Sequence, residues 1–350
     1  MNIKKIYRIG KDTLINIISK VDLTYVVEDI DWSIMQDGLA ITNNLSYITS
    51  KVTRSKYCLS SHIIHFGSMH TYINDHGIRA TPNKSLIVVT VFHIAPESKL
   101  SKFIYTAIDR VDVWHTSTHI TKQQLIQLGV EADKIIVIPL GIDLNLFKPS
   151  DVNKKKIIRK QLGISDEVFV IGSFQKDGQG WGNGEEPKLI KGPDIYCDVL
   201  EHLAKRYKIC AYLTGPARGY VKNRLKKAGI PYIHKFEKDF KKLSKHFIPL
   251  DAYLISSRIE GGPKAILESW ATGTPVVSAK VGMVTDIANS HNAILCNVEG
   301  VDSMVRGIES LIINKSNRDL LIKQGLQTVT KYSWRSIALQ YRQKIYALKL

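Results

Sequence analysis

The chain has 350 residues, which at about 150 residues per domain is length for roughly two domains. Hydrophobic residues make up 44% and charged residues 23%, a balance that excludes a disordered tail, a collagen-like chain and a small disulfide scaffold. The charge is lopsided. Residues 1–150 hold 16 basic and 13 acidic side chains, residues 151–350 hold 33 and 19, and the whole carries +17. Such a field favours an anionic partner, whether nucleotide phosphates, nucleic acid or an acidic membrane surface, without choosing among them.

The early chain shows short β-branched runs separated by helical patterns. Strands are predicted at Thr24–Glu28, His62–Phe66, Leu86–Phe92, Val111–Thr116 and Lys134–Pro139, with helices at Ser98–Arg110 and Thr121–Gly129. The segment PLGIDLNLFKPSD then breaks the pattern with proline, glycine and aspartate, which places a domain boundary near residues 139–150. A basic helix at Val152–Leu162 leads into strands at Val168–Phe174, Lys208–Thr214, Tyr232–His234, Ala252–Ser256 and Pro275–Ala279. Helices are predicted at Pro193–Tyr207, Val221–Gly229, Lys238–Phe247 and Pro263–Thr272. Residues 302–350 read as consecutive helices ending near Trp334–Leu348, packing on the second domain or crossing back onto the first. Several strands are nearly continuous apolar runs, as expected for parallel sheets covered on both faces. The alternation predicts an α/β protein of two doubly wound domains, residues 1–148 and 149–332, with a ligand cleft between them.

The four cysteines, at 58, 197, 210 and 296, show no C-x-x-C spacing. They read as reduced thiols, with no zinc or dithiol motif. No run approaches about 20 apolar residues and the N-terminus lacks a signal-peptide core, so a cytoplasmic protein is expected.

The segment SSRIEGGPKAILESWATGTPVVSA, residues 256–279, carries the most chemistry. A strand ends at Ser256, Gly261 and Gly262 bare their backbone amides, and Pro263 suits the opening of a helix. A helix N-terminus preceded by glycines is a phosphate cradle. With the helix starting at Pro263, Gly261 and Glu268 would share one face about 10 Å apart. Glu268 would then accept from the paired hydroxyls of a ribose, and Glu260 from another hydroxyl. The plainer alternative is a capped surface helix with two solvated glutamates.

This segment resembles the E-x7-E signature of the family 4 retaining glycosyltransferases, which have the GT-B fold. VIPLGIDLNLFKP at residues 137–149, VIGSFQKDG at 170–178 followed by KGPD at 191–194, and TGPARGYV at 214–221 resemble other stretches of that family. The likeness covers residues 137–290 well and is weaker over 1–136. It implies two Rossmann-like domains facing a cleft, the first on the acceptor side and the second on the donor side. It also implies transfer of a sugar from a nucleoside-diphosphate sugar to a hydroxyl of a glycan or lipid-linked acceptor. The mechanism implied is front-face displacement, with the donor phosphate taking the acceptor proton and no metal required. Lys191 matches the family's diphosphate lysine. The arginine that accompanies it is replaced by Ser173, and Lys176 is the nearest substitute charge. The resemblance makes Glu260, Lys191 and His93, at the end of a strand, the catalytic set. Ser173, Lys176, Arg258, Gly261, Gly262, Pro263 and Glu268 join Lys191 in holding the donor.

Other features leave alternatives open. Residues 177–188, DGQGWGNGEEPK, have glycines at every second position from 178 to 184. That composition suits neither helix nor strand, and the segment reads as a mobile flap with Trp181 as lid, or as a disordered surface loop. Arg218 sits at a strand end like Arg258. In the first domain, Asp31-Trp32-Ser33, His65 and Ser68 stand out beside His93, with His115 and His119 weaker. Ten Lys or Arg residues between 218 and 245 face only Glu237 and Asp239. They suit solvated helix faces or contact with anionic lipid headgroups. Nucleic acid is disfavoured, because the charges are not interleaved with aromatics. The rival functions are a sugar-nucleotide epimerase or hydrolase, and a non-catalytic basic binding protein.

Overall fold

The computed structural model describes residues 3–29, 33–74, 77–82, 84–95 and 100–350. The chain divides into two compact units, Met1–Gly141 with Ser333–Leu350, and Ile142–Tyr332. The division thus falls a few residues before the expected one, and the final helix belongs to the first unit. Asp31 and Trp32 lie outside the described residues, as do the first residues of the helix expected from Ser98.

The first unit opens with a helix, α1 (Ile3–Ile18), and has a six-stranded parallel sheet. Its strands are β1 (Leu23–Val26), β2 (Ser50–Thr53), β3 (Ile63–Phe66), β4 (Leu86–Thr90), β5 (Val113–Thr116) and β6 (Ile135–Val137), in the order β2-β1-β3-β4-β5-β6. Val26 pairs with Thr53 on one side and Phe66 on the other. All four residues of β1, of β3 and of β5 are buried, as expected of parallel strands covered on both faces. Helix α2 (Ser33–Asn43) and strand β2 were not foreseen. The β2 run, SKVT, is too short and polar to stand out, and only its neighbour β1 makes it a strand.

The middle of this unit is polar. His65 and His115 are both buried and lie on strands β3 and β5, either side of β4 at the sheet's centre. His65 Nδ1 is 2.7 Å from Tyr346 Oη, and its Nε2 is 2.8 Å from Thr90 Oγ1. Thr90 Oγ1 is 2.9 Å from His115 Nδ1, and His115 Nε2 is 3.1 Å from the Ile138 carbonyl. A carbonyl only accepts, so His115 carries its proton on Nε2. Thr90 must then donate to His115, His65 to Thr90, and Tyr346 to His65. One proton order satisfies the whole chain with both imidazoles neutral. Tyr341 adds its hydroxyl 2.9 Å from His115 Nε2. Tyr341 and Tyr346 belong to the C-terminal segment, so this network fastens that segment to the first sheet.

The second unit has another six-stranded parallel sheet. Its strands are β7 (Phe169–Phe174), β8 (Ile209–Thr214), β9 (Tyr232–Lys235), β10 (Ala252–Ile255), β11 (Val276–Ala279) and β12 (Ile294–Cys296), in the order β9-β8-β7-β10-β11-β12. Helices α3 (Pro193–Ala204), α4 (Gly219–Lys227), α5 (Ala265–Thr272) and α6 (Val301–Ile313) cover it. Helix α3 buries Ile195, Tyr196, Val199, Leu200 and Leu203, and Tyr196 donates to the Ile171 carbonyl at 2.9 Å. Trp270 of α5 is buried and donates to the Asn292 carbonyl at 2.8 Å. The helix expected at Lys238–Phe247 is a 3₁₀ segment, Phe240–His246. The sheet order reverses between β7 and β10, and ligands bind at such a reversal beyond the strands' C-terminal ends.

Burial pushes His65 well below the ordinary histidine range and His115 down to about 4. Unfolding lets both titrate near pH 6.5. Their stabilisation is therefore complete above that pH and is lost as pH falls from 6.5 towards 4, by up to about 1.4 kcal/mol per pH unit for each ring. The midpoint of urea unfolding should drop between pH 6.5 and 5, and the drop should be shallower in His115→Gln. A flat midpoint across that window would contradict two buried, neutral imidazoles.

Candidate functional site

Strands β7 and β10 end side by side at the reversal. After β7 the chain passes through residues 175–188 to a 3₁₀ turn, Leu189–Lys191, and then to Gly192 with φ +62°. A Cβ on Gly192 would collide with the Ser256 carbonyl oxygen, so only glycine permits this approach. Ser256 Oγ donates to the Gly192 carbonyl at 2.8 Å. The amides of Arg258 and Ile259 both donate to the Ile190 carbonyl, at 2.9 and 3.1 Å. These bonds lace the turn to the loop after β10.

The lacing brings two expected residues together. Lys191 Nζ lies 2.7 Å from Glu260 Oε1, and Ser257 Oγ donates to the same oxygen at 2.9 Å. Both partners of the ion pair are largely withdrawn from solvent. Such charge-assisted bonds hold each side chain in one direction. The glycine loop is fixed from below by the Met283 amide, which donates to the Gly261 carbonyl at 2.8 Å. Gly261 and Pro263 are buried and Gly262 is half-buried.

Helix α5 begins at Ala265, with Lys264 at its cap, rather than at Pro263. This corrects the expectation that Gly261 and Glu268 share a helix face. The double glycine keeps the chain in a loop for longer than the proline suggested. Glu268 instead stands in the first turn of α5 and is buried, where a helix N-terminus favours a carboxylate. Tyr253, which the sequence did not single out, lies near both glutamates. Burial raises its pKa, and Glu268 and Glu260 add to the rise. Its hydroxyl oxygen accepts from the Phe174 amide at 2.7 Å and so pins the end of β7.

Ser173 is buried within β7. A guanidinium reaches it from Arg218. Arg218 donates to the carbonyls of Ser173, Gln175 and Thr214 at 2.7, 3.0 and 3.0 Å, and to Ser173 Oγ at 3.2 Å. Its Nε lies 3.0 Å from Asp177 Oδ1, and neither side chain reaches solvent. Burial pushes the Asp177 carboxyl up despite the opposing pull of Arg218. These residues brace the strand ends from inside.

The glycine-rich segment is not an unsupported flap. Gly178 bridges to Pro187, the Gln179 amide donates to the Glu186 carbonyl at 2.9 Å, and the Lys188 amide donates to the Asp177 carbonyl at 2.7 Å. The first amides of α4, Gly219 and Tyr220, donate to the carbonyls of Asn183 and Gly184 at 2.7 and 2.8 Å. Gly184 has φ +71°, and a Cβ there would collide with the Ala217 carbonyl oxygen. The glycines thus serve close backbone packing, a use that composition alone does not reveal. Trp181 is exposed at the tip, with Lys176 Nζ 4.2 Å from its ring centroid, a cation–π contact.

Lys188 is a further cation that sequence reasoning passed over. Burial lowers its pKa, Lys191 and Lys176 push the same way, and Glu260 opposes them. Lys176, Lys188 and Lys191 therefore share one electrostatic neighbourhood around Glu260. The signal was the three-residue spacing in KLIK, one turn of a 3₁₀ helix.

Arg258 stands apart from this set. It grips both oxygens of Asp194 at 2.8 and 2.7 Å, donates to Glu299 at 2.5 Å and to the Leu189 carbonyl at 2.7 Å. These bonds frame the 189–192 turn. The basic stretch is also less open than its composition implied. Arg218 is buried, Arg224 lies between Asp198 and Glu201, and Lys245 pairs with Glu237. In the first unit, His93 is half-buried just beyond β4, His65 and His115 belong to the buried network, and Ser68 donates to Glu28 at 2.9 Å.

Residues 188–328 match the family model described as "Glycosyl transferases group 1". A D-inositol 3-phosphate glycosyltransferase of Xylanimonas cellulosilytica is 25% identical over 240 residues, covering 64% of this chain and 54% of its own. A UDP-Gal:alpha-D-GlcNAc-diphosphoundecaprenol alpha-1,3-galactosyltransferase of Escherichia coli is 26% identical over 194 residues, covering 52% and 46%. The chain spans a little over half the length of the first of these curated relatives. Among solved structures, Anabaena Alr3699/HepE in complex with UDP and glucose superposes with a TM-score of 0.73 at 16% identity, covering 93% of this chain and 99% of its own. Sucrose-phosphate synthase from Thermosynechococcus elongatus gives 0.72 at 14% identity, covering 93% and 98%. The two parallel sheets and these likenesses show the two-domain α/β fold of the GT-B type.

Removing Asp177 would leave the Arg218 guanidinium buried without its countercharge. Asp177→Ala should therefore cost about 3–5 kcal/mol of stability, read by urea unfolding. A loss within about 0.5 kcal/mol, as for an exposed substitution, would show that the pair does not brace the strand ends.

Proposed function

We infer that the chain is a retaining glycosyltransferase that moves a sugar from a nucleoside-diphosphate sugar to a hydroxyl of a glycan or lipid-linked acceptor. The observation that carries the reading is the Lys191–Glu260 pair, held at 2.7 Å beside a glycine loop where the second sheet reverses. Parallel sheets bind ligands there, and a lysine trio suits a diphosphate. The E. coli relative supports the lipid-linked option, since its name contains a sugar on diphosphoundecaprenol. The UDP and glucose in the Anabaena structure support the donor class.

In this reading the diphosphate lies against the amides of Gly261 and Gly262 and the ammonium groups of Lys191, Lys188 and Lys176. Their charge stabilises the departing diphosphate as the anomeric C–O bond breaks. The acceptor oxygen forms its bond to the same face of that carbon and passes its proton to the leaving phosphate oxygen. The balance is one glycosidic bond formed, one sugar–phosphate bond broken and one nucleoside diphosphate released. Glu260 aims Lys191 and accepts from a sugar hydroxyl. Glu268 accepts from the ribose. The reaction calls on no resident cofactor, because the donor is a substrate and the lysines supply the countercharge.

The reading is tested with a thermal-shift screen of UDP, GDP and ADP and their sugar conjugates. One nucleoside diphosphate should raise Tm by a few degrees through preferential binding to the folded state, and Glu268→Ala should lose that rise. With the donor and acceptor so found, Lys191→Met should lower kcat by about 10²–10³. No shift with any nucleotide at millimolar concentration would overturn the donor site.

A further inference from the structure

Helix α1 is packed the wrong way round for a surface helix. Such helices ordinarily turn an apolar stripe to the core and polar residues to water. Here the polar side is fastened to the first unit. Arg8 donates to the side chain of Asp29, the Arg54 amide donates to Asp12 at 2.8 Å, and Thr13 Oγ1 lies 2.6 Å from Ser55 Oγ. The buried Asn16 donates to the Tyr57 carbonyl at 2.9 Å. Lys51 caps the helix end, donating to the carbonyls of Ile15 and Ser19 at 3.4 and 3.3 Å.

The apolar side is left facing out. Ile6, Tyr7, Leu14, Ile17 and Ile18 are between 48% and 75% exposed. At 3.6 residues per turn they fall, with Gly10, within an arc of about 120° running the helix's length of about 24 Å. Contiguous apolar surface of this kind marks an interaction site. The charge at its rim is basic. Lys5 and Arg8 pair with Asp29 on the inward side, whereas Lys11 and Lys20 are exposed. Lys11 sits one turn or two from Tyr7, Leu14 and Ile18, on the rim of the apolar arc.

We propose that α1 is a membrane-surface anchor, its apolar arc lying in the headgroup boundary of an anionic bilayer with Lys11 and Lys20 on the lipid phosphates. An apolar stripe edged by lysines is what such a surface accepts. A second copy of the chain fits less well, because a two-fold pairing would set the two lysine rims against each other. No described helix is long and apolar enough to cross a membrane, so the contact lies along the surface. The anchor shares no residue with the donor loops or with the basic stretch of residues 218–245, and it stands or falls independently of the transfer reaction.

The test pellets the full chain with vesicles of phosphatidylcholine alone and of equimolar phosphatidylcholine and phosphatidylglycerol. The wild type should pellet with the anionic vesicles and less so as salt is added. Each apolar side chain is worth roughly tenfold in partition, so Tyr7→Ser/Leu14→Ser/Ile18→Ser should lower it at least about 100-fold. Lys11→Glu reverses a charge and should lower it about tenfold or more, each lysine counting for about fivefold. Absence of wild-type binding to either vesicle overturns the proposal, as does a triple variant that is folded by circular dichroism and pellets like wild type. Should the triple variant misfold, an unchanged Lys11→Glu overturns it alone. A dimer in light scattering that the triple variant dissociates, with vesicle binding unchanged, would assign the face to a second copy.

Discussion

The candidate site depends on one backbone contact, the approach of Gly192 to the Ser256 carbonyl. With no side chain at 192, the turn after residue 188 lies directly on the end of β10. Every bond that builds the site follows from that approach. Ile190 receives two amides from the loop after β10, Lys191 is directed at Glu260, and Ser257 meets the same carboxylate. A lysine on a flexible stem is a poor catalytic group unless something restricts its direction. The glutamate supplies that restriction and gives the ammonium a countercharge in a half-buried place.

The ground under the site is unusually polar. Arg218 and Asp177 are both sealed from water, and burial opposes the ionised state of the aspartate. A buried ion pair of this kind is weak support for stability, and its removal by halves is costly, so it holds the chain to one arrangement. The guanidinium ties three carbonyls at the ends of β7 and β8, and β7 is one of the two strands whose ends carry the site. Ser173 thus meets a guanidinium that arrives at its strand from another turn. It arrives inside the strand ends rather than on the surface. The cations nearer the surface are lysines of the 176–191 segment.

The two units use their buried polar groups differently. In the second, they shape loops at the strand reversal. In the first, His65, Thr90 and His115 form a proton-ordered chain that holds Tyr341 and Tyr346, and through them the end of the polypeptide. The same unit leaves the apolar side of α1 outside while its polar side is hydrogen-bonded inward. An isolated reading of α1 would turn it over, since its pattern is that of an ordinary amphipathic helix. The partners on Asp29, Arg54, Ser55 and Tyr57 are what decide its orientation.

Much of this protein was legible in its residues alone. Continuous apolar runs such as LIVVTVF and VFVIGSF declare parallel strands, because only a sheet covered on both faces needs them. Glycine and proline mark the loop at 260–263, because they interrupt regular strand and helix patterns. What sequence did not decide was which polar groups meet. Arg218, Arg258 and Lys191 look alike as cations near strand ends. One is buried against Asp177, one is clamped by Asp194 and Glu299, and one faces Glu260. The strand β2 and the pinned 177–188 segment were hidden for the same reason. Hydrophobic periodicity is a local property and survives in a single run of residues. Ion pairs, carbonyl contacts and edge-strand pairing join residues tens of positions apart, and only the folded chain sets those distances.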